Sequence, residues 1–382
     1  MKPKPHVDQK RAGLVFEQLL QVFRANGYPY NIGSLPQDHI PDSVRQDPLR
    51  YARFLFYTCH LMRGAIQSDM AVRQLVALEK SRPEFFDPSV VAHYDESAVR
   101  GILLRAVDYH TDEIAHFWRV NSEALATRFN GDPRNIFKVA GCGDSLRRLV
   151  TNKKIKGKKP DEPFDHEWGF EGFQGKMASM LAYFLIEAKL IPSFKVTPAV
   201  DFHILRVLQA TEVIALPEEL RRMGVRYDSV YPLGESLLEG YIELGDTSTV
   251  EIGDALWRLS TTLCRMAPGN SSVDRGQGKD EKGKKIIPRQ LRVDPQDAEH
   301  LARYSISCHR CPAKNFCKWN VPSGPYYEVG KFILYPRQEL EPHPNLFGDL
   351  PDHPIPKRTQ AGELREDAIS EHPYLPGLQP SE

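Results

Sequence analysis

Trp168-Gly-Phe-Glu-Gly172-Phe-Gln-Gly175-Lys176-Met-Ala-Ser-Met-Leu181 is the stretch on which the rest of the chain turns. Gly172 and Gly175 stand three apart, and glycine is the residue that takes φ > 0 cheaply in a tight turn. Directly after them Met177, Ala178, Leu181, Phe184 and Leu185 return at helical spacing, so a helix is expected to start beside Lys176. A Gly-rich turn at a helix N-terminus aims backbone N–H groups outward, where they suit a phosphate. Taken alone the signal is weak, because such turns are common and a lysine beside one is usually just solvated.

Moving downstream, Thr197-Pro-Ala-Val200-Asp201-Phe-His203-Ile204-Leu205-Arg206-Val207 places Asp201 directly before a helix carrying Ile204, Leu205, Val207 and Leu208. The plain reading is an N-cap aspartate, worth about 1 kcal/mol. His203 and Arg206 are then surface or capping residues. Moving upstream, residues 152–167 read as a loop with five lysines in its first eight positions, Lys153, Lys154 and Lys156 among them. That run is either a solvated loop or a set of phosphate contacts.

Further out, helical spacing dominates. Leu14, Val15, Phe16, Leu19, Leu20, Val22 and Phe23 recur at three-to-four-residue intervals, with Gly27 as a stop. Residues 30–48 read as a loop, 49–80 as one or two buried helices, 96–129 as long helices, 133–140 as a short helix and 145–151 as another. Residues 268–285 read as a polar loop. The one strand candidate is Lys331-Phe-Ile-Leu-Tyr335. The tail 323–382 holds ten prolines, leaving little room for long helices. Tyr109, His110, His60, Gln67 and Trp118 could line a base pocket, although each such residue is more often plain core.

Bulk composition is neutral. Of 382 residues, 41% are hydrophobic, enough for a sizeable core. Lys+Arg and Asp+Glu both number 50, so whole-chain charge selects neither nucleic acid nor membrane as partner. The opening Met1-Lys2-Pro3-Lys4-Pro5-His6 has no apolar region, so no signal peptide is expected, nor any spanning helix. A cytoplasmic protein is expected.

The six cysteines are Cys59, Cys142, Cys264, Cys308, Cys311 and Cys317. Cys308-His-Arg-Cys311 is a pair that can hold one centre from a single turn, and five residues separate Cys311 from Cys317. A four-thiolate site needs one more ligand, and Cys264 is the best candidate, carried by the apolar helix of Ala255, Leu256, Trp257, Leu259 and Leu263. Arg265, Arg310, Lys314 and Lys318 would make the surroundings electropositive. The spacing fits an iron–sulfur cluster or a structural zinc, the latter with His309 as a possible ligand. Cys59 and Cys142 read as ordinary buried thiols.

The Gly-rich turn with its lysine, the segment Val200-Asp201-Phe-His203-Ile-Leu-Arg206-Val207 and the downstream cysteines occur in one order. That combination resembles the helix-hairpin-helix DNA glycosylases. The cysteines look closest to endonuclease III, and Gly172–Leu181 with Asp201–Arg206 to archaeal 8-oxoguanine glycosylases. The resemblance spans residues 165–320. It implies an all-α, two-lobed fold with a cysteine-ligated cluster loop and a Pro-rich C-terminal tail. The lobes would be a helical barrel domain over 33–200 with the hairpin at 168–181, and a cluster domain over 8–32 plus 201–322, followed by an irregular extension over 323–382.

By the same resemblance Lys176 attacks C1′ of an extruded nucleotide, and Asp201 activates the amine and stabilises positive charge on the sugar. Gly172, Gln174 and Gly175 hold DNA phosphate, with Lys153, Lys154 and Lys156 close by. A [4Fe–4S] cluster sits on Cys264, Cys308, Cys311 and Cys317 and does no chemistry. The implied partner is DNA, as a duplex or with an extruded base. The sequence departs from the family pattern in that Gln174 stands where a glycine is usual and Leu301 where the first cluster cysteine is usual. Cys264 therefore serves only if 265–300 is an insertion. A catalytically inactive DNA-binding protein of this fold, or a glycosidase for modified nucleotides or RNA, are the competing expectations.

Overall fold

The computed structural model describes residues 4–32, 35–62, 68–107, 111–141, 143–151, 169–217, 219–220, 225–245, 247–267, 302 and 305–317, with four short strands beyond residue 277. The helices are α1 (Gln9–Arg24), α2 (Asp42–Arg45), α3 (Pro48–Leu61), α4 (Ser68–Ser81), α5 (Pro88–Val91), α6 (Glu96–Leu103) and α7 (Thr111–Phe129). They continue with α8 (Arg134–Val139), α9 (Gly143–Val150), α10 (Gly175–Glu187), α11 (Phe202–Ala210), α12 (Tyr227–Leu244) and α13 (Thr249–Leu259). The strands are β1 (His6–Val7), β2 (Ile214–Ala215), β3 (Val225–Arg226), β4 (Gly278–Lys279), β5 (Lys285–Ile286), β6 (Pro325–Glu328) and β7 (Lys331–Leu334). The protein is mainly helical, as its periodicity predicts. No described helix is long and apolar enough to cross a membrane.

The chain divides into two compact units. One comprises Met1–Gly33, Val200–Tyr241 and Glu251–Glu382. In it α1 starts where the Asp8 side chain accepts the Arg11 N–H at 2.9 Å, and it buries Ala12, Val15, Phe16, Leu19 and Leu20 along one stripe. It stops at Asn26, whose φ of 48° is a left-handed helix end. Helix α11 is enclosed almost all round, with Ile204 through Ala210 buried. Gly234 on α12 is why the two helices can touch: a Cβ there would lie 2.8 Å from the Leu205 side chain.

The other unit comprises Ser34–Ala199 and Ile242–Val250. Helix α3 begins at Asp47, which caps the N–H groups of Leu49 and Arg50, with Pro48 in the first turn. From Tyr51 to Leu61 nearly every side chain is buried, because α4, α7 and α10 cover it. The centre is aromatic: Tyr57 stacks on Trp118 at 4.2 Å, and Phe56 meets Phe170 and Phe173 at 5.1 and 5.6 Å. Each such ring contributes about 1.5–3 kcal/mol by leaving water.

Three local expectations need correction. Residues 30–48 are not all loop: they hold a 3₁₀ turn, Pro36–His39, and helix α2. Pro36 fits the first position of the turn, and the Leu35 N–H donates to Asp38 Oδ2 at 2.6 Å. Within 268–285, β4 pairs antiparallel with β5. A two-residue ladder is too short for any alternation to announce it. The tail is also less irregular than expected, since β7, over the run singled out as the strand candidate, lies between β3 and β6. Pro325 is tolerated because it opens its strand.

Candidate functional site

The Gly-rich stretch is a turn plugged into the core. The Phe170 N–H donates to the Val150 carbonyl at 3.0 Å, and Thr151 bridges Phe170, so the end of α9 meets the hairpin. The Phe173 N–H closes the turn on the Phe170 carbonyl at 3.0 Å. Gly172, with φ of 75°, is the turn residue that requires glycine. Gly175 takes no left-handed backbone, so conformation demands glycine at neither position 174 nor 175. Both phenylalanines are buried.

Gln174 is the N-cap of α10 in extended conformation, and its side chain makes no capping bond. The helix therefore opens with first-turn amides that no side-chain cap covers. Lys176 lies in that first turn, half-buried. The carboxylate of Glu171, just before Gly172, accepts from His116 Nε2 at 2.7 Å, while His116 Nδ1 reaches Glu96 at 2.8 Å. Those bonds, to Glu96 first and then Glu171, raise the His116 pKa against an opposing effect of burial.

Asp201 is the N-cap of α11: its Oδ1 accepts the N–H groups of His203 at 2.8 Å and Ile204 at 3.1 Å. It is also buried, at 9% exposure. The positive end of the helix favours its anionic form. Lys176 and Asp201 belong to different units of the chain.

Of His203 and Arg206, expected as surface or capping residues, Arg206 is buried and His203 is half-buried. The His203 ring lies against Phe202 and Trp257, and its Nδ1 is 3.3 Å from Ser260 Oγ. Arg206 is 5% exposed, its guanidinium over the Phe202 ring at 5.4 Å. The reason is that α11 is enclosed from Ile204 to Ala210. The Arg206 charge lowers the Cys264 thiol's pKa, against the larger effect of burial, which raises it.

The cysteines come together. Helix α13 runs into a π-helical turn, Ser260–Cys264, in which the Arg265 N–H bonds the Ser260 carbonyl at 3.0 Å. Such turns re-aim one side chain. The Cys264, Cys317 and Cys308 thiols all lie close enough to Cys311 to push its pKa up, after burial as the main cause. Burial also pushes the Cys308 thiol up to about 12. No group of three or more described His, Cys, Asp or Glu side chains is arranged to hold a single metal ion. None of the four forms a disulfide, nor does the buried Cys59 of the other unit.

The N-terminal segment brackets this cysteine loop. The Tyr28 hydroxyl donates to the Ile306 carbonyl, and the Arg310 guanidinium covers the Tyr28 ring at 4.6 Å. Arg11 Nη2 donates to the Phe316 carbonyl at 2.7 Å and its Nε to the Thr211 carbonyl. Arg11→Ala is expected to cost about 1.5–3 kcal/mol, the range for bonds to charged groups. An unchanged thermal unfolding midpoint would show that these bonds contribute nothing. Arg11 carries no signal in the sequence, because an arginine on an amphipathic helix reads as solvated.

Among the pocket candidates, His60 and Trp118 are core residues, fully buried. Tyr109, His110 and Gln67 lie outside the described residues, as do Lys153, Lys154, Lys156, Lys318, Cys142 and Leu301. The ends of the lysine-bearing segment are described, and they meet at Thr151 and Phe170 beside the hairpin.

No protein-family model matches the chain, and no curated protein matches it. Among solved structures, a thermostable thymine-DNA glycosylase is similar at 12% identity and a TM-score of 0.42, over 81% of this chain and 97% of that one. At those values the likeness is remote.

Proposed function

We propose that the chain is a DNA N-glycosylase with an associated β-lyase step, removing a modified or damaged base, with Lys176 and Asp201 as its catalytic residues. The observation that carries this reading is the setting of Asp201: a buried carboxylate, fixed by two backbone amides at a helix N-terminus. Breaking an N-glycosidic bond builds positive charge on the sugar, and a preorganised anion in a dry site lowers that barrier. An N-cap alone does not need to be buried.

The chemistry requires the Lys176 amine and the Asp201 carboxylate to reach one sugar. The target nucleotide leaves the stack, since neither group can reach C1′ inside a duplex. The neutral Lys176 Nζ forms a bond to C1′ as the C1′–base bond breaks, the base leaving with the electron pair and taking up a proton. Asp201 accepts the proton that the attacking nitrogen sheds. Opening of the sugar ring, with the ring oxygen protonated, then leaves a Schiff base, from which β-elimination expels the 3′ phosphate.

Gly172, Gln174 and Gly175 would bind the DNA backbone through the uncapped first turn of α10. Lys153, Lys154 and Lys156 would add phosphate contacts, their segment starting and ending at the hairpin. Cys264, Cys308, Cys311 and Cys317 would hold a [4Fe–4S] cluster. In such a cluster each thiolate binds a different iron, and Cys264, Cys317 and Cys308 all lie close enough to Cys311 to raise its pKa. When bound, it would staple α13 to the cysteine loop and take no part in the reaction.

The test is base release from a panel of modified-base duplexes. The wild type is expected to free one class of base and nick the strand. Lys176→Gln is expected to lose strand cleavage, and an unaffected variant would remove the lysine from the mechanism. Binding without release from any duplex would favour a DNA-binding protein, and release from free nucleotides or RNA alone the third reading.

A further inference from the structure

Glu171 is held at its backbone by a side chain fifty residues away. Asn121, on α7, turns its carboxamide to the hairpin as a neighbouring strand would: Oδ1 accepts the Glu171 N–H at 2.6 Å, and Nδ2 donates to the Glu171 carbonyl at 2.9 Å. The second Nδ2 hydrogen points at His60 Nε2, 2.9 Å away. His60, on α3, has its Nδ1 3.2 Å from the Phe56 carbonyl. A carbonyl only accepts, so the His60 proton sits on Nδ1 and Nε2 is left to accept from Asn121. The two constraints agree on one orientation of the amide. His60 is neutral in this arrangement, and each polar group of both side chains that can bond does so.

Both residues are fully buried in an aromatic core, where Phe56, Tyr57, Trp118 and Phe173 surround the imidazole. A leucine at either position would pack there with no polar group to satisfy. What the polar pair does that leucine could not is fix the peptide immediately before Gly172, the left-handed residue of the turn. Two residues further on comes Gln174, where α10 opens.

We propose that Asn121, oriented by His60, is the positioning residue of the hairpin, setting the angle at which the turn and the first amides of α10 meet a DNA phosphate. This rests on the reading of the hairpin as the DNA contact. Phosphate contacts position a duplex without reading its sequence. Loss of Asn121 therefore weakens all duplexes alike and acts on KM more than on kcat.

The experiment compares the wild type with Asn121→Leu and with the near-isosteric Asn121→Asp, which keeps an acceptor for the Glu171 N–H but offers no donor. Asn121→Asp also serves if Asn121→Leu does not fold, as judged by circular dichroism. Two quantities are read: hydrogen exchange at the amides of Glu171 to Lys176, and the Kd for duplex DNA across a salt series. Exchange is expected to rise in both variants, and DNA binding to weaken on the order of tenfold, the value of one charge-assisted bond. Wild-type exchange in a folded variant would overturn the positioning role and leave the hairpin assignment standing. Faster exchange with wild-type Kd would overturn the proposal by showing that the hairpin is not the DNA contact.

Discussion

Asp201→Asn is expected to fold as the wild type does and to lose base release on the order of 10³-fold, the scale set by removing a preorganised charge from a reacting centre. Asparagine caps helices as well as aspartate does. Its side-chain oxygen can take the His203 and Ile204 amides that Asp201 Oδ1 takes now. The charge alone is removed. Asp201→Ala removes the cap as well and is expected to cost about 1 kcal/mol in addition. The pair of variants separates the two roles of one carboxylate. If Asp201→Asn released base at the wild-type rate, Asp201 would be an N-cap and nothing more.

The second large effect is expected at the cysteines. Cys311→Ser is expected to lose bound iron and visible absorbance, and to destabilise the unit that holds α1, α11 and α13. Metal–ligand free energy in small sites is folding free energy, on the order of 10 kcal/mol for a whole site. The Cys264, Cys317 and Cys308 thiols all act on Cys311. Cys59→Ser is the control: Cys59 is buried in the other unit and forms no disulfide, and the variant is expected to keep its iron. Equal iron in both variants would remove Cys311 from the ligand set.

The helices were legible because each buries a stripe against neighbours. The spacing of Val15, Phe16, Leu19 and Leu20 writes that stripe directly into the chain. β7 was legible for a similar reason, as a run of apolar residues among prolines. The cap at Asp201 and the turn at Gly172 announce themselves locally, by residue type next to a periodic segment. The contacts that organise the site do not. Asn121 meets Glu171 across fifty positions, and Arg11 meets Phe316 across about three hundred. Neither residue type at its own position says what it touches. Arg206 misleads outright, since a charged residue on a helix reads as solvated unless the whole helix is enclosed.

The most direct test is borohydride trapping on a duplex carrying whichever modified base proves to be released, with mass spectrometry to locate the adduct. The account predicts a covalent DNA–protein species attached at Lys176, absent in Lys176→Gln. Base release with no trapped species, or an adduct on another lysine, would contradict it.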